Sequence, residues 1–385
     1  MTQRIGIGVE CLREYRAGIA RVGIDLFSAL LAVDEKREYL LIADRQIPSG
    51  DVESIRDFIQ CQPSVFYPKL PDSLAIPLWV QFQLPRLLRK LDIDLYLHTG
   101  TPPLLPFLPP WPHTKKILFL HDLINVKSPH FFNPMTFVHA SLTKRLAVRS
   151  FDHILTNSVA TKEDAIRVLK ADPETITVVP LGLSMVFTKP PTKEAMARVR
   201  DIVGHDDVPF VLFVGTLEPR KNLEGLLSGF KLSGLEGNFR LVVVGAEGWK
   251  TSGLRQKVAE LELGGSVIFT GYVSDDELCA FYRSATVFCY PSFDEGFGLP
   301  VLEAMACGCP VVASGVPAIK EVGGDVPIYL DPKSKRSIAW ALKEAVQDKQ
   351  ALATIARRGK ERAKRFSWDR AALEVSKVME NMEAS

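Results

Sequence analysis

The sequence predicts an α/β protein made of two doubly wound domains. Three observations carry that expectation. The chain has 385 residues, 46% hydrophobic and 24% charged, an ordinary globular composition with length enough for two cores. Short β-branched or aromatic runs alternate with helix-patterned segments along the chain, the rhythm of parallel sheets covered by helices. Between two such series lies a polar, Pro-containing stretch, Lys189 to Glu194, that reads as a linker.

In chain order, Arg4 to Val9 is the first expected strand. Gly18, with Arg21 close by, precedes a helix whose apolar period runs through Ile24, Leu26, Phe27 and Leu30. A glycine between a first strand and a first helix lets backbone approach a ligand closely. Glu38 to Ala43 is the next strand. Ile76 to Lys90 carries Trp79, Phe82, Leu84, Leu87 and Leu88, with Gln81, Gln83, Arg86, Arg89 and Lys90 between them. The apolar stripe reads as core packing; the basic end alternatively reads as a membrane-surface contact. Leu95 to His98 is a strand, and the prolines of 102–112 forbid a central strand there. Lys116 to Leu120 is a strong strand ended by His121-Asp122-Leu123. A histidine at the C-terminal end of a parallel strand faces the ligand crevice; the alternative is a satisfied structural histidine. His153 to Ser158 and Thr175 to Pro180 complete a first domain expected to span 1–183.

The second domain, 184–365, repeats the pattern. Pro209 to Val214 is a strand closing on Gly215, followed by Arg220, Lys221 and Asn222, then a helix through Leu223, Leu226, Leu227 and Phe230. Asn222 is a plausible N-cap. Adjacent cations usually form a solvated face, but before a helix start a forked Arg and a mobile Lys suit a diphosphate. Arg240 to Gly245 and Val267 to Gly271 are strands, and Ser274 to Glu277 is a capping box. Thr286 to Ser314 then reads as strand, loop, helix, strand, with Glu295 in the loop and Glu303 about one turn into the helix. A carboxylate accepting two hydrogen bonds suits a diol, and a helix start suits a phosphate. Two solvated acids near a helix N-terminus would look the same. Ile338 to Val346 and Leu352 to Phe366 are further helices, and 366–385 forms a separate tail.

Composition excludes several classes. The net charge is +2 and no long basic tract with interleaved aromatics occurs, so no nucleic-acid partner is expected. No uninterrupted apolar run approaches the length of a membrane span, and the N-terminus is too short for a secretory h-region. The expected compartment is cytoplasmic. Cys279, Cys289, Cys307 and Cys309 lie in apolar surroundings and read as small core residues, since Cys307-Gly-Cys309 lacks a second ligand cluster at metal spacing. Asp92-Ile-Asp94 precedes a strand instead of closing one, so it is not a metal motif. No metal is expected.

Glu295-Gly-Phe-Gly-Leu-Pro-Val-Leu-Glu303 and the following Ala-Met-Ala-Cys-Gly-Cys-Pro-Val-Val-Ala resemble the E-x7-E signature of retaining GT-B glycosyltransferases, specifically glycosyltransferase family 4. Glu218-Pro-Arg-Lys-Asn222, Leu120-His-Asp-Leu123 and Phe366-Ser-Trp-Asp369 resemble further motifs of that family. The resemblance implies two Rossmann-like domains facing across a cleft. Residues 1–183 would form the acceptor side, 184–365 would bind the nucleotide sugar, and the 366–385 helix would cross back to the first domain. It implies a retaining hexosyltransferase of polysaccharide biosynthesis, moving a mannosyl group from GDP-mannose to a glycan or lipid-linked acceptor. His121, Arg220, Lys221 and Glu295 would be catalytic. The donor would be bound by Gly18, Gly215, Arg220, Lys221, Glu295, Phe297, Gly298, Leu299 and Glu303, with no cofactor and no metal. Glu303 would hold the ribose and Glu295 the transferred sugar, so losing Glu295 should leave affinity for the free nucleoside diphosphate near wild type. A UDP-glucose or other UDP-sugar transferase, a GT-B nucleotide-sugar epimerase, a non-catalytic nucleotide-sugar-binding subunit, and a peripheral position at the inner membrane face remain open alternatives.

Overall fold

The computed structural model describes residues 3–8, 18–43, 59–61, 78–99, 113–132, 134–204, 208–248 and 252–384. The chain divides into two units, Met1–Gly182 with Ser367–Ser385, and Leu183–Phe366.

Among its described residues unit 1 holds seven strands: β1 (Arg4–Gly8), β2 (Glu38–Ala43), β3 (Ile59–Cys61), β4 (Leu95–His98), β5 (Lys115–Leu120), β6 (His153–Thr156) and β7 (Ile176–Val178). They lie in the order β3-β2-β1-β4-β5-β6-β7, all parallel. The winding reverses between β1 and β4, where Gly8 pairs with His98. All four residues of β4 and the last four of β5 are buried, as strands covered on both faces must be.

The helix after residue 78 departs from its expected stripe. Trp79–Gln83 forms a wide π turn before the α-helix Leu84–Lys90. The extra residue per turn rotates the faces, so Gln81 and Gln83 are buried while Phe82 is 38% exposed. The Pro-rich 101–112 stretch lies outside the described residues.

The final helix, Trp368–Ala384, packs on the first, Gly18–Val33. Its Glu383 pairs with Arg37 at 2.7 Å, and its Ser376 Oγ accepts from Arg37 Nη1 at 3.1 Å. Arg37 also pairs with buried Asp34, which accepts from the Tyr39 hydroxyl at 2.8 Å. At the other end of that helix, a Cβ on Gly182 would come within 2.3 Å of the Trp368 backbone nitrogen.

Unit 2 holds β8 (Phe210–Val214), β9 (Arg240–Val244), β10 (Val267–Gly271), β11 (Val287–Tyr290), β12 (Val311–Ser314) and β13 (Ile328–Leu330), in the parallel order β10-β9-β8-β11-β12-β13. Its core joins strand residues Val211, Phe213 and Val243 to Leu226, Phe230, Ile338 and Leu342 of the covering helices. The winding reverses between β8 and β11, registered through Val287–Val211 and Phe288–Leu212. The stretch expected to be a linker contains a helix start: Thr192 accepts from the Ala195 amide and opens Lys193–Val203. The Ser274–Glu277 capping box is formed on both sides. No helix among the described residues is long and apolar enough to cross a membrane.

Candidate functional site

In an open parallel sheet, ligands bind beyond the C-terminal strand ends where the winding reverses. In unit 2 that place is flanked by the loops after β8 and β11, which carry Arg220, Lys221 and Glu295. Gly215 leaves β8 at φ +148°, a conformation open to glycine. Pro219–Lys221 is a single 3₁₀ turn, and Asn222 follows in the left-handed region at φ 59°.

Asn222 precedes the helix Leu223–Ser233 but does not cap it with its side chain. Its Nδ2 donates instead to Pro291 O at 3.1 Å and Pro332 O at 2.8 Å, joining the loops after β8, β11 and β13. The Phe293 amide donates to Arg220 O at 2.9 Å, so the cation turn and the Glu295 loop are fixed to one another through backbone.

That fixation produces an ion cluster. Glu295 Oε2 meets Arg220 Nη1 at 2.9 Å, and Oε1 meets Lys221 Nζ at 2.7 Å. Arg220 also pairs with Glu218 and donates to Asp294 O at 3.0 Å. The Tyr290 hydroxyl, at the end of β11, donates to Glu295 Oε1 at 2.8 Å and accepts from Lys221 Nζ. The ammonium lies 4.9 Å from the Tyr290 ring centroid. Only 8% of the Glu295 side chain is exposed. Burial would push its carboxyl up, but Lys221 and Arg220 overcome this and hold it at about 2. Burial lowers the Lys221 ammonium, with Glu295 opposing. Burial first, then Glu295, keeps the Tyr290 phenol protonated as a donor.

Glu303 lies on the helix that follows the Glu295 loop. It is buried within the helix Leu299–Cys307, where its Oε2 accepts from the Tyr282 hydroxyl at 3.2 Å. Tyr282 is gripped edge-on by Phe187 and Phe288. Gly298 opens the helix at φ 112°, and Pro300 occupies its first turn. The Phe297 ring packs edge-on against Phe366 with centroids 5.9 Å apart. Cys279 and Cys307 are buried, as expected of small core residues, and place their sulfurs 3.7 Å apart.

In unit 1, the His121 ring stacks on Phe119 at 4.7 Å, and its Nε2 lies 3.2 Å from Thr99 O. Thr99 in turn donates to Gly8 O, lacing the ends of β1, β4 and β5. Burial pushes the imidazole down to about 4, with Asp122 opposing, so it is neutral at pH 7. Asp122 accepts from the Ile124 amide at 3.2 Å and faces Lys144 at 3.7 Å, a local positioning role. Gly18 is the first residue of the helix Gly18–Val33; residues 9–17 before it lie outside the described ones.

The sequence-predicted residues thus fall into two groups. Gly18 and His121 belong to unit 1; Gly215, Arg220, Lys221, Glu295, Phe297, Gly298, Leu299 and Glu303 belong to unit 2. Sequence reasoning gave Tyr282 and Tyr290 no role, and placed Glu218 in a family motif without its pairing to Arg220. The available signal for the tyrosines was a buried position, where the hydroxyl needs a partner. Among the described residues no three His, Cys, Asp or Glu side chains converge as a cation site.

Two family models match the chain. One for Glycosyltransferase Family 4 covers residues 29–185, and one for Glycosyl transferases group 1 covers 197–362. An Escherichia coli O-antigen chain mannosyltransferase B is 41% identical over 42% of this chain and 42% of that protein. The Salmonella typhimurium O-antigen chain mannosyltransferase RfbU is 29% identical over 58% of this chain and 60% of that one. The matched stretches therefore span about half the length of these curated relatives. Among solved structures, a sucrose-phosphate synthase from Thermosynechococcus elongatus superposes with a TM-score of 0.80 at 21% identity, covering 99% of both chains. Anabaena HepE, solved with UDP and glucose, gives 0.78 at 20% identity, covering 98% of this chain and 100% of that one.

Proposed function

The chain belongs to glycosyltransferase family 4 and has the GT-B architecture, and we propose that it transfers a mannosyl group from GDP-mannose to a glycan or lipid-linked acceptor with retention of configuration. The observation that carries this is the Arg220–Lys221 turn beside Glu295 at the reversal point of the second sheet. The choice of mannose is supported by relatives named as mannosyltransferases. A UDP-sugar donor is the second reading, favoured by a fold relative solved with UDP-glucose.

Arg220 and Lys221 would stabilise the diphosphate as it leaves, the role that fixed donors fill best in a water-poor site. Glu303 would accept from the ribose hydroxyls, and Glu295 from those of the sugar. Gly215 would let backbone approach the phosphates, while the amides of Phe297, Gly298 and Leu299 would serve the sugar and diphosphate. Gly18 would face the diphosphate and neutral His121 the sugar. The acceptor would attack from the departing phosphate's face, that phosphate drawing off its proton. We propose a cytoplasmic location, with peripheral contact at the inner membrane face as the alternative.

Transfer should be measured with GDP-mannose, UDP-glucose and related donors after dialysis against a chelator. GDP-mannose should give the highest turnover, unchanged by the dialysis, because the basic pair neutralises the diphosphate. Preference for a UDP-sugar would overturn the donor assignment; loss of activity restored by magnesium would overturn the metal-free reading.

Glu303→Gln should raise the donor KM by about tenfold with a smaller fall in kcat, because a ribose contact serves ground and transition states alike. A fall in kcat with the KM unchanged would remove Glu303 from the ribose.

A further inference from the structure

The cluster around Glu295 balances its own charge, with Arg220 and Lys221 facing Glu218 and Glu295. Both oxygens of Glu295 are committed, at 2.9 Å to Arg220 and 2.7 Å to Lys221. A diphosphate approaching such a cluster meets no net positive charge from these four side chains. A carboxylate reserved for a sugar would have no reason to occupy the cations so fully.

We propose that Glu295 is a displaceable counter-ion: it fills the place of the diphosphate on Arg220 and Lys221, and yields it readily only to a diphosphate that brings a sugar. This rests on the reading of the chain as a nucleotide-sugar transferase. A carboxylate withdrawn from two cations in a mostly buried site needs new donors, or its desolvation opposes the move. The hydroxyls of a bound hexose supply them. A free nucleoside diphosphate takes the cations but offers Glu295 nothing in return. The site therefore favours the intact donor over the spent nucleotide. Once the sugar has been transferred, the carboxylate returns to Arg220 and Lys221 and drives the diphosphate out. Tyr290, whose hydroxyl touches both Lys221 Nζ and Glu295 Oε1, stands at the pivot of the exchange. Glu218 belongs to the cation turn itself and pairs with Arg220, so it stays in place.

The two carboxylates therefore have separable signatures, and the outcome reverses the expectation that losing Glu295 leaves diphosphate affinity unchanged. Inorganic pyrophosphate, GDP and GDP-mannose should be titrated calorimetrically into wild type, Glu295→Gln and Glu218→Gln. Glu295→Gln should bind pyrophosphate and GDP about tenfold more tightly than wild type, and its preference for GDP-mannose over GDP should shrink by a similar factor. Glu218→Gln removes the same formal charge, and should tighten all three ligands alike while keeping the preference. Pyrophosphate binding no tighter in Glu295→Gln than in wild type overturns the inference, as does loss of the preference in Glu218→Gln. If GDP-mannose binds none of the proteins while pyrophosphate tightens more in Glu295→Gln than in Glu218→Gln, the donor assignment fails and the counter-ion stands. Should Glu295→Gln be too unstable for calorimetry, the rise in Tm with added pyrophosphate provides the same comparison, and must be larger than in wild type.

Discussion

Lys221→Ala is expected to lower turnover by about a hundredfold or more, equivalent to about 2.7 kcal/mol of transition-state stabilisation. The ammonium is buried, and its donors point at Glu295 and Tyr290, so it is already fixed where charge on a leaving diphosphate would develop. Lys221→Arg should not restore the rate. A guanidinium is planar and forked, whereas the slot between the Tyr290 ring and Glu295 holds one compact ammonium. Arg220→Ala should lose a comparable factor in turnover and more in Tm, because Arg220 also anchors Glu218 and Asp294 O. Steady-state kinetics beside thermal unfolding separates the two effects. Wild-type turnover in Lys221→Ala would remove the residue from the reaction.

Gly245→Ala is expected to lower the stability of unit 2 by about 3–5 kcal/mol, moving Tm down by about 10 °C. Gly245 leaves β9 at φ 149°, and a Cβ there would lie 2.0 Å from Gly215 O. Its amide donates to Gly271 O at 2.9 Å, and the Gly215 amide donates to Val244 O at 3.0 Å. The loops after β8, β9 and β10 thus nest with no room for a side chain. Gly237→Ala is the control: a Cβ there meets nothing within 4 Å, and Tm should hold nearly constant. Equal Tm values for the two variants would refute this account of the loop packing.

The alternating strands were legible because buried parallel strands are written as short continuous apolar runs. Phe210–Val214 and Val287–Tyr290 are buried at every position. The helix carrying Glu303 was legible from Pro300 near its start and Gly308 after its end. The partnership of Glu295 with Arg220 and Lys221 was not. It joins Glu295 to a cation turn whose Lys221 lies 74 residues earlier, and depends on β11 pairing with β8, which no local pattern encodes. Lys193–Val203 shows a different failure. Ala195, Val199 and Val203 give it a buried face, but its first two residues fall in the polar, Pro-containing Lys189–Glu194 stretch that reads as a linker, and charged residues interrupt the rest. The π turn at Trp79–Gln83 was hidden because a 3.6-residue period was assumed throughout.

The division of the chain has a consequence for its biosynthesis. Unit 1 comprises Met1–Gly182 and Ser367–Ser385, with all of unit 2 translated between them. Domains fold in the order in which they emerge, yet unit 1 must wait for its last helix. Until Trp368–Ala384 arrives, the face of Gly18–Val33 that it covers is open, Arg37 lacks Glu383 and Ser376, and Gly182 has no Trp368 to pack against. The first-made unit is therefore the last completed.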